Sequence, residues 1–217
     1  MYTKLSFQKI LWAFFAFIAL MITVRFLYSG QYAFVFLVWN LFLAWVPLVI
    51  SAMFNKMTNA PKWKQGLLFA IWLAFFPNAF YLVTDLIHLD LETSIPKWFD
   101  ALLLFSCLSA GLLMAFVSLL RTEVYLQQKF ETRTVQLMMP AIFFLSSFGV
   151  YLGRFQRWNS WDIISDPLNL LYSIARLLIF PVKYAQAWGI TLMLTCIFYL
   201  LYLAIKKLPG HVNQAIQ

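Results

Sequence analysis

Charged residues are scarce in this sequence. Lys, Arg, Asp and Glu make up 11% of its 217 residues, against about 25% in soluble domains, and 63% of the residues are hydrophobic. A soluble domain of this length would have too few charges to cover its surface. A membrane span needs about 20 mostly apolar residues, so the chain has room for about six spans and none for a soluble domain.

Histidine and cysteine are also rare, and each shortage narrows the choice of function. The two histidines, His88 and His211, fall on opposite sides of the expected topology, which excludes a zinc site with several imidazoles. Cys107 and Cys196 lie within apolar runs, where thiols act as small hydrophobic groups, and no disulfide is expected. The net charge of +8 is explained by cytoplasmic loops, so we predict no nucleic-acid partner.

The hydrophobic runs predict an all-α polytopic transmembrane bundle that forms one integral membrane domain over residues 1–217. The six predicted spans cover about residues 10–27, 32–54, 66–88, 98–120, 135–152 and 184–205. The apolar stretch 168–180, bounded by Pro167 and Pro181, is too short to cross and predicts an interfacial or re-entrant helix. No small-x-small cleavage pattern follows the first run, so we expect a retained helix rather than a signal peptide.

Charge is distributed unevenly between the two predicted membrane faces. Ten of the sixteen basic residues fall on the side of the two termini: Lys4, Lys9, Lys56, Lys62, Lys64, Arg121, Lys129, Arg133, Lys206 and Lys207. The positive-inside rule makes that side cytoplasmic. The opposite face has six basic residues and also six acidic ones: Asp85, Asp90, Glu92, Asp100, Asp162 and Asp166. Orientation alone does not require this balance of charges.

The third span has a stripe of polar residues at its outer end. Four residues spaced 3, 4 and 3 apart share one face of an α-helix: Asn78, Tyr81, Asp85 and His88. Pro77, just before them, can kink the helix and free backbone carbonyls. A single polar residue in a span often only joins helices, but four on one face predict a functional or pore-lining surface.

Asp85 and His88 have three interpretations. They are the candidate catalytic pair, with His88 moving a proton and Asp85 orienting it. They could also be two ligands of a divalent metal, with Asp90, Glu92 or Asp100 completing the set, although no cofactor is otherwise evident. Alternatively, Asp85 forms a structural ion pair with an arginine of the fifth span.

A second polar stripe is predicted at the end of the fifth span. It contains Ser147, Tyr151, Arg154 and Arg157. Two arginines at headgroup level suit a phosphate or carboxylate, or are anchors that reach the interface. Gly149 and Gly153, on the opposite side of the helix, form a small-x-x-x-small pair that predicts the close approach of another helix.

Two further groups complete the candidate binding residues. The segment after Arg157 contains Trp158, Asn159, Trp161 and Asp162, which suit a polar ligand or sugar ring, while its tryptophans equally suit an interfacial belt. In the fourth span, Asp100 shares a face with Cys107 and Gly111. We expect the side chain of Asp100 either to point toward Asp85 or to pair with Lys97.

The segments FPNAFYLVTDLIHL at 76–89 and GVYLGRFQRWNSWDI at 149–163 resemble bacterial membrane proteins of the domain of unknown function 1361 family. The resemblance extends from about the second span to the last. It implies a multi-pass protein of the bacterial cytoplasmic membrane, and we predict both termini in the cytoplasm. The family brings no activity, so the resemblance assigns no role to Asp85, His88, Arg154 or Asp162.

Three functions fit these residues, and the sequence leaves open whether the protein is an enzyme. The first is binding of, or catalysis on, an anionic lipid or lipid-linked substrate at the outer face, although no serine or cysteine nucleophile motif is visible. The second is a non-catalytic scaffold or partner subunit with structural ion pairs. The third is a small-solute or ion transporter, yet few polar residues, such as Asn40 and Ser109, lie deeper. Membrane lipids are the expected partners, and oligomeric state and substrate are not predicted.

Overall fold

The computed structural model describes residues 6–90 and 95–215. Within those residues the chain forms α-helices, two short 3-10 helices and connecting loops. The α-helices are α1 (Phe7–Ser29), α2 (Phe36–Met53), α3 (Lys62–Phe75), α4 (Pro77–Tyr81), α5 (Lys97–Gln127), α6 (Thr132–Phe155), α7 (Asp162–Ser165), α8 (Pro167–Ile179) and α9 (Ala185–Ala215). The 3-10 helices are Phe54–Met57 and Leu82–Asp90.

Six helical segments are long and apolar enough to cross a membrane: Phe7–Ser29, Phe36–Met57, Lys62–Leu89, Lys97–Gln127, Thr132–Phe155 and Ala185–Leu208. The predicted all-α fold, the six spans and the additional short apolar helix are therefore confirmed, the last as Pro167–Ile179. The helix α9 continues past its predicted end at 205 to Ala215, and α5 continues past its predicted end at 120 to Gln127. Its last turns stay helical because Thr122, Glu123 and Tyr125 are buried against the rest of the bundle.

The helix α5 is the centre of the bundle. It is the most buried of the six spans, and α1, α2, α4, α6 and the 3-10 helix Leu82–Asp90 all pack against it. Its buried face alternates larger apolar residues such as Leu103 and Met114 with small ones such as Ala110 and Gly111. Small residues let backbones approach closely, which is how helices associate without a hydrophobic driving force in lipid.

Stacked aromatic rings fill the middle of the bundle. The ring of Trp72 lies 4.5 Å from that of Phe76, and the ring of Phe80 lies 5.2 Å from Phe76 and 4.0 Å from Phe198. The indole N–H of Trp72 donates to the hydroxyl of Ser118 at 2.9 Å, which satisfies the one polar atom of that buried ring. An aromatic layer therefore lies beneath the polar end, which we define as the end of the bundle at which Arg25, Asp85, Asp100 and Arg154 lie.

The third span is broken at Pro77, as predicted. The helix α3 ends at Phe75, a single α-turn follows as α4, and the chain then winds as a 3-10 helix from Leu82 to Asp90. The carbonyl oxygens next to the break accept side-chain bonds instead of helical ones: Ala74 accepts from the hydroxyl of Ser160 at 3.0 Å, and Phe75 from the amide of Asn78 at 2.8 Å. The predicted stripe therefore does not lie on one continuous α-helix.

Three glycines allow the broken span to pack closely on its neighbours. A Cβ added at Gly149 would lie 2.7 Å from Cγ of Pro77, and one at Gly153 would lie 3.2 Å from the ring of Tyr81. On the other side, a Cβ at Gly111 of α5 would lie 2.5 Å from a methyl group of Leu82. The predicted close approach at Gly149 and Gly153 is confirmed, and the approaching element is α4.

We expect Gly149→Ala to lower the free energy of unfolding by about 1–3 kcal/mol, the usual cost of overpacking. The added methyl group meets the rigid ring of Pro77, so one of the two helices must shift. Gly66→Ala is the matched control, because nothing lies within 4 Å of its added Cβ, and alanine is the better helix former. Unfolding in detergent micelles, followed by tryptophan fluorescence, measures both. Equal stability of the two variants would contradict the close packing of α4 on α6.

Candidate functional site

The centre of the polar end is an ion pair between Asp85 and Arg154. Asp85 lies on the 3-10 helix Leu82–Asp90, and its side chain is only 1% exposed. One carboxylate oxygen accepts from Nη2 of Arg154, and the other accepts from the side-chain amide of Asn40 at 2.9 Å. A carboxylate buried at this depth is stable only when paired and hydrogen-bonded, and here both oxygens have donors.

Arg154 uses all three of its guanidinium nitrogens within this cluster. Besides the bond to Asp85, its Nε donates to the hydroxyl of Thr84 at 2.8 Å, and Nη1 lies 3.1 Å from Nε2 of His88. The guanidinium plane sits over the ring of Tyr81, 4.3 Å from its centroid. A planar fork of this kind cannot be replaced by lysine, whose charge is a single point. Arg154 therefore joins four side chains of the broken third span.

His88 lies beside the ion pair rather than in the predicted dyad. Its Nε2 is 4.0 Å from Asp85, which is beyond hydrogen-bond distance, so the orienting bond predicted from the sequence is not formed. Because an arginine N–H only donates, Nε2 accepts from Arg154 and the ring proton is on Nδ1. The ring packs edge-on against Phe36, with centroids 4.9 Å apart, and its side chain is 28% exposed.

The possible metal site at Asp85 and His88 can be examined only at those of its candidate ligands that the structure describes. Among the residues that the structure describes, no group of three His, Cys, Asp or Glu side chains is close enough to hold an ion. Glu92 and the side chain of Asp90 lie outside the described residues. Asp100 bonds an arginine of its own, and the guanidinium of Arg154 already provides the positive charge beside Asp85.

Asp100 forms a second buried ion pair, with Arg25 of α1. Nε and Nη2 of Arg25 donate to its two carboxylate oxygens at 2.8 and 3.2 Å, and the guanidinium lies 4.3 Å from the ring centroid of Phe34. The sequence predicted that Asp100 would pair with Lys97 or point toward Asp85. Its partner Arg25 matches neither prediction. Arg25 was not among the predicted site residues, although it is a charge that directly follows a long apolar run.

A cavity of about 170 Å³ lies next to the Asp85 cluster. Its polar and aromatic lining comes from α2, α4 and the segment after α6: Trp39, Asn40, Asn78, Tyr81, Trp158, Asn159 and Ser160. Ile163 and Leu170 complete one side with apolar surface. Asn78 and Tyr81 of the first stripe thus share one cavity with Trp158 and Asn159 of the predicted binding segment. The two stripes themselves meet through the pair of Asp85 and Arg154.

Several polar atoms in the cavity wall have capacity to bind a ligand. The amide nitrogen of Asn40 donates to Asp85, and that of Asn78 donates to Phe75 and Ser160. Both amide oxygens are therefore left as acceptors. The hydroxyl of Tyr81 has no hydrogen-bond partner among the residues described. Acceptors and a hydroxyl beside two tryptophans suit a small group rich in hydroxyls.

The other predicted binding residues lie around the cavity rather than in it. Tyr151 is buried, and its ring stacks on Phe155 with centroids 5.2 Å apart. Trp161 is exposed and meets Trp39 edge-on at 6.2 Å. Arg157 is exposed in a left-handed conformation with φ of 61°, which turns the chain sharply after α6.

Asp162 begins the short helix α7 and shapes the loop that precedes it. The backbone N–H of Asn159 donates to its carboxylate at 2.7 Å, and the hydroxyl of Ser165 donates at 2.9 Å. These bonds favour the ionised form, and the bond from Asn159 does most to lower the pKa of Asp162. Asp162 therefore positions Asn159 at the cavity wall rather than lining the cavity itself.

Sequence reasoning missed three polar partners besides Arg25. Asn40 was placed deeper in the membrane, yet it bonds Asp85 across the helices. Thr84 lies in the same block as Asp85, but a threonine in a span often only bonds its own backbone, as its hydroxyl does here to Tyr81 at 2.7 Å. Ser160 lies within the predicted binding segment, and no spacing rule links it to Asn78.

Comparison with known proteins places the chain in a family. No curated protein and no solved structure has significant similarity to it. The model of a family described as protein of unknown function, DUF1361, matches residues 39–201. That range includes the Asp85 and Arg154 cluster and the whole cavity wall, but not Arg25. Since the match covers most of the sequence, this multi-pass membrane protein belongs to the DUF1361 family of proteins of unknown function.

Proposed function

We propose that this protein binds an anionic lipid or a lipid-linked molecule by its polar headgroup, in the cavity beside Asp85. The observation that supports this most is the lining itself, since amide oxygens, a tyrosine hydroxyl and two tryptophans meet within a cavity of about 170 Å³. Binding sites for small molecules combine a mostly apolar wall with a few polar groups that fix orientation. This cavity has that composition and has room for one small headgroup.

The apolar side of the cavity favours a ligand that comes from the membrane. Ile163 and Trp39, which line it, are each at least half exposed, and the short apolar helix α8 contributes Leu170. An exposed apolar rim at the interface level faces lipid more favourably than water. A lipid could therefore enter laterally, with its headgroup on the polar wall.

An anionic headgroup is favoured by the basic residue at the rim. Arg157 is exposed, directly precedes Trp158 of the cavity wall, and has a left-handed backbone conformation with φ of 61°. Arg154, by contrast, is committed to Asp85, Thr84 and His88. Of the two arginines predicted to hold an anion, Arg157 is therefore the one we assign to the ligand.

The contacts support binding more strongly than proton transfer. Arg154 bonds both Asp85 and His88, and the carboxylate is 1% exposed, so it has no free edge for a substrate. A general base must come within hydrogen-bond reach of the proton that it removes. We therefore assign Asp85 and Arg154 to holding α4 and the 3-10 helix in place, which positions Tyr81 and Asn78.

Binding is tested by reconstituting the purified protein in vesicles of phosphatidylglycerol and phosphatidylcholine and measuring lipid retention by native mass spectrometry. We expect Ile163→Trp, which fills the cavity, to lower phosphatidylglycerol retention about tenfold. Tyr81→Phe removes only the hydroxyl and should lower it a few-fold, the value of about one hydrogen bond. Ile164→Trp is the matched control, because Ile164 is 86% exposed and does not line the cavity.

Two results would contradict the proposal. The first is equal retention of the two lipids by the unaltered protein. The second is retention that Ile163→Trp and Tyr81→Phe leave unchanged.

A scaffold or partner subunit is the second candidate function, and the two buried ion pairs favour it. The pair Arg25–Asp100 joins α1 to α5, and the pair Asp85–Arg154 joins the third span to α6. Such pairs can fix which helices are neighbours. Under this hypothesis the cavity variants change no lipid retention, while loss of either pair changes assembly with a partner. Transport has less support, because buried aromatic rings such as Trp72, Phe76 and Phe80 fill the bundle below the cavity.

A further inference from the structure

A second concave surface, the α1–α2 groove, lies on the side of α2 away from the cavity. Its volume is about 390 Å³, and every lining side chain is apolar, including Trp12, Ile18 and Ile22 of α1 and Leu41, Phe42 and Trp45 of α2. The groove exists because α1 and α2 each pack on α5 rather than closely on each other. Ile18 and Leu41 are buried at its floor, while Trp12 and Trp45 are exposed at its rims.

The groove is connected to the cavity by a row of aromatic rings. Trp39 lines the cavity, and its ring lies 5.4 Å from that of Phe42, which lines the groove. Phe42 in turn lies 6.4 Å from Trp45, further along the groove. At 100° per residue, Trp39 and Phe42 are about 60° apart on the helix, and both are exposed. One molecule can therefore contact the cavity and the groove by crossing the exposed edge of α2.

The length of the groove fits one leaflet of a membrane. It follows α1 from Ile22 to Trp12, ten residues, which corresponds to about 15 Å of helix. That is half of the roughly 30 Å hydrocarbon core of a bilayer. Ile22 and Val38 lie at the end nearer to Arg25 and the cavity, and from there the groove follows α1 past Ile18, the midpoint of this span.

The dimensions favour a hydrocarbon chain over a helix of another protein. A helix is about 10 Å across with its side chains, so it could place only one face in this open groove of about 390 Å³. A single flexible chain fits between rims such as Trp12 and Trp45 and covers the apolar floor.

We infer that the α1–α2 groove holds the hydrocarbon chain of the same molecule whose headgroup lies in the cavity. This inference rests on the proposed function and deepens it, because it makes the ligand a lipid recognised at both ends. Headgroup and chain then contribute to one binding event, so a change at either site weakens occupancy of both. Bulk lipid that merely fills the groove would not be linked to the cavity in this way.

The test uses a phosphatidylglycerol with a photoactivatable diazirine in the middle of one acyl chain, in vesicles that contain the full chain. After irradiation, labelled peptides are identified and quantified by mass spectrometry. In the unaltered protein we expect labelling on the groove side of α1 and α2. Ala19→Phe fills the groove and should lower this labelling about tenfold, and Ile163→Trp in the distant cavity should lower it comparably. Ala13→Phe is the matched control, since Ala13 is an exposed α1 alanine outside the groove.

The outcomes separate the two proposals. Groove labelling that persists in Ile163→Trp, while lipid retention at the headgroup site falls, overturns the inference and leaves the proposed function standing. An unaltered protein that retains phosphatidylglycerol no better than phosphatidylcholine overturns the proposed function, and the inference with it. A matching loss of groove labelling in Ala13→Phe also overturns the inference, because the effect would then not depend on the groove.

Discussion

Replacing Arg154 by leucine is expected to lower the free energy of unfolding by about 3–5 kcal/mol, the cost of leaving a buried charge without its partner. Among the residues that the structure describes, Asp85 would keep only the bond from the amide of Asn40, at 1% exposure. Thr84 and His88 would lose their donor as well. Denaturant unfolding in detergent micelles, followed by tryptophan fluorescence, gives the free energy.

Two further variants separate charge from geometry in this cluster. Arg154→Lys keeps the charge but not the planar fork, so we expect it to lose most of the same stability. The double change Arg154→Leu with Asp85→Leu removes both charges and should recover much of what the single change loses. If Arg154→Leu costs less than about 1 kcal/mol, the range of exposed pairs, the cluster does not hold the third span in place.

The double variant also distinguishes the two candidate functions. Asp85 and Arg154 are 1% and 12% exposed and lie behind the cavity wall, so a ligand does not need their charges. A stable double variant that still retains phosphatidylglycerol would support binding in the cavity. A stable double variant that retains the lipid but no longer assembles with a partner would favour the scaffold.

The fold was predictable because membrane spans are set by the length of apolar runs. That rule depends on local composition alone, and the six spans and the short helix Pro167–Ile179 follow from it. The break at Pro77 was predictable for a local reason too, since proline lacks the N–H that the helix needs. The continuation of α5 to Gln127 was not, because it depends on burial of Glu123 and Tyr125 by other helices.

The location of the polar site could be predicted from the sequence, but the contacts between its side chains could not. Spacing shows which residues share a helix face, and this was enough to identify the two stripes, which meet through the pair of Asp85 and Arg154. Asp85 and His88 stay on one side in the 3-10 helix as well, because residues three apart are eclipsed there. Spacing carries no information on which helices are neighbours, so Asn40 and Arg25 could not be assigned to carboxylates 45 and 75 residues away.

The second large effect is expected at Arg25. Arg25→Met should lower the free energy of unfolding by about 3–5 kcal/mol, because Asp100 is 4% exposed and would lose the two bonds that the guanidinium donates. Lys206→Met is the matched control at the other end of the bundle. It breaks the pair with Glu123, whose side chain is 7% exposed, but the amide of Gln127 still donates to that carboxylate at 3.3 Å and the lysine is 42% exposed, so the cost should be smaller than at Arg25.

The pair itself, however, is not expected to be the most stable arrangement at this position. Nη1 of Arg25 is buried and has no hydrogen-bond partner among the residues that the structure describes, and an unpaired buried donor of this kind is unfavourable. Replacing both residues, as Arg25→Met with Asp100→Leu, removes that donor together with the two charges, and we expect it to recover a large part of the loss. Recovery in the same unfolding measurement would mean that the pair selects α1 and α5 as neighbours more than it stabilises them. A double variant as unstable as Arg25→Met would instead show that the guanidinium contributes through its packing on Phe34.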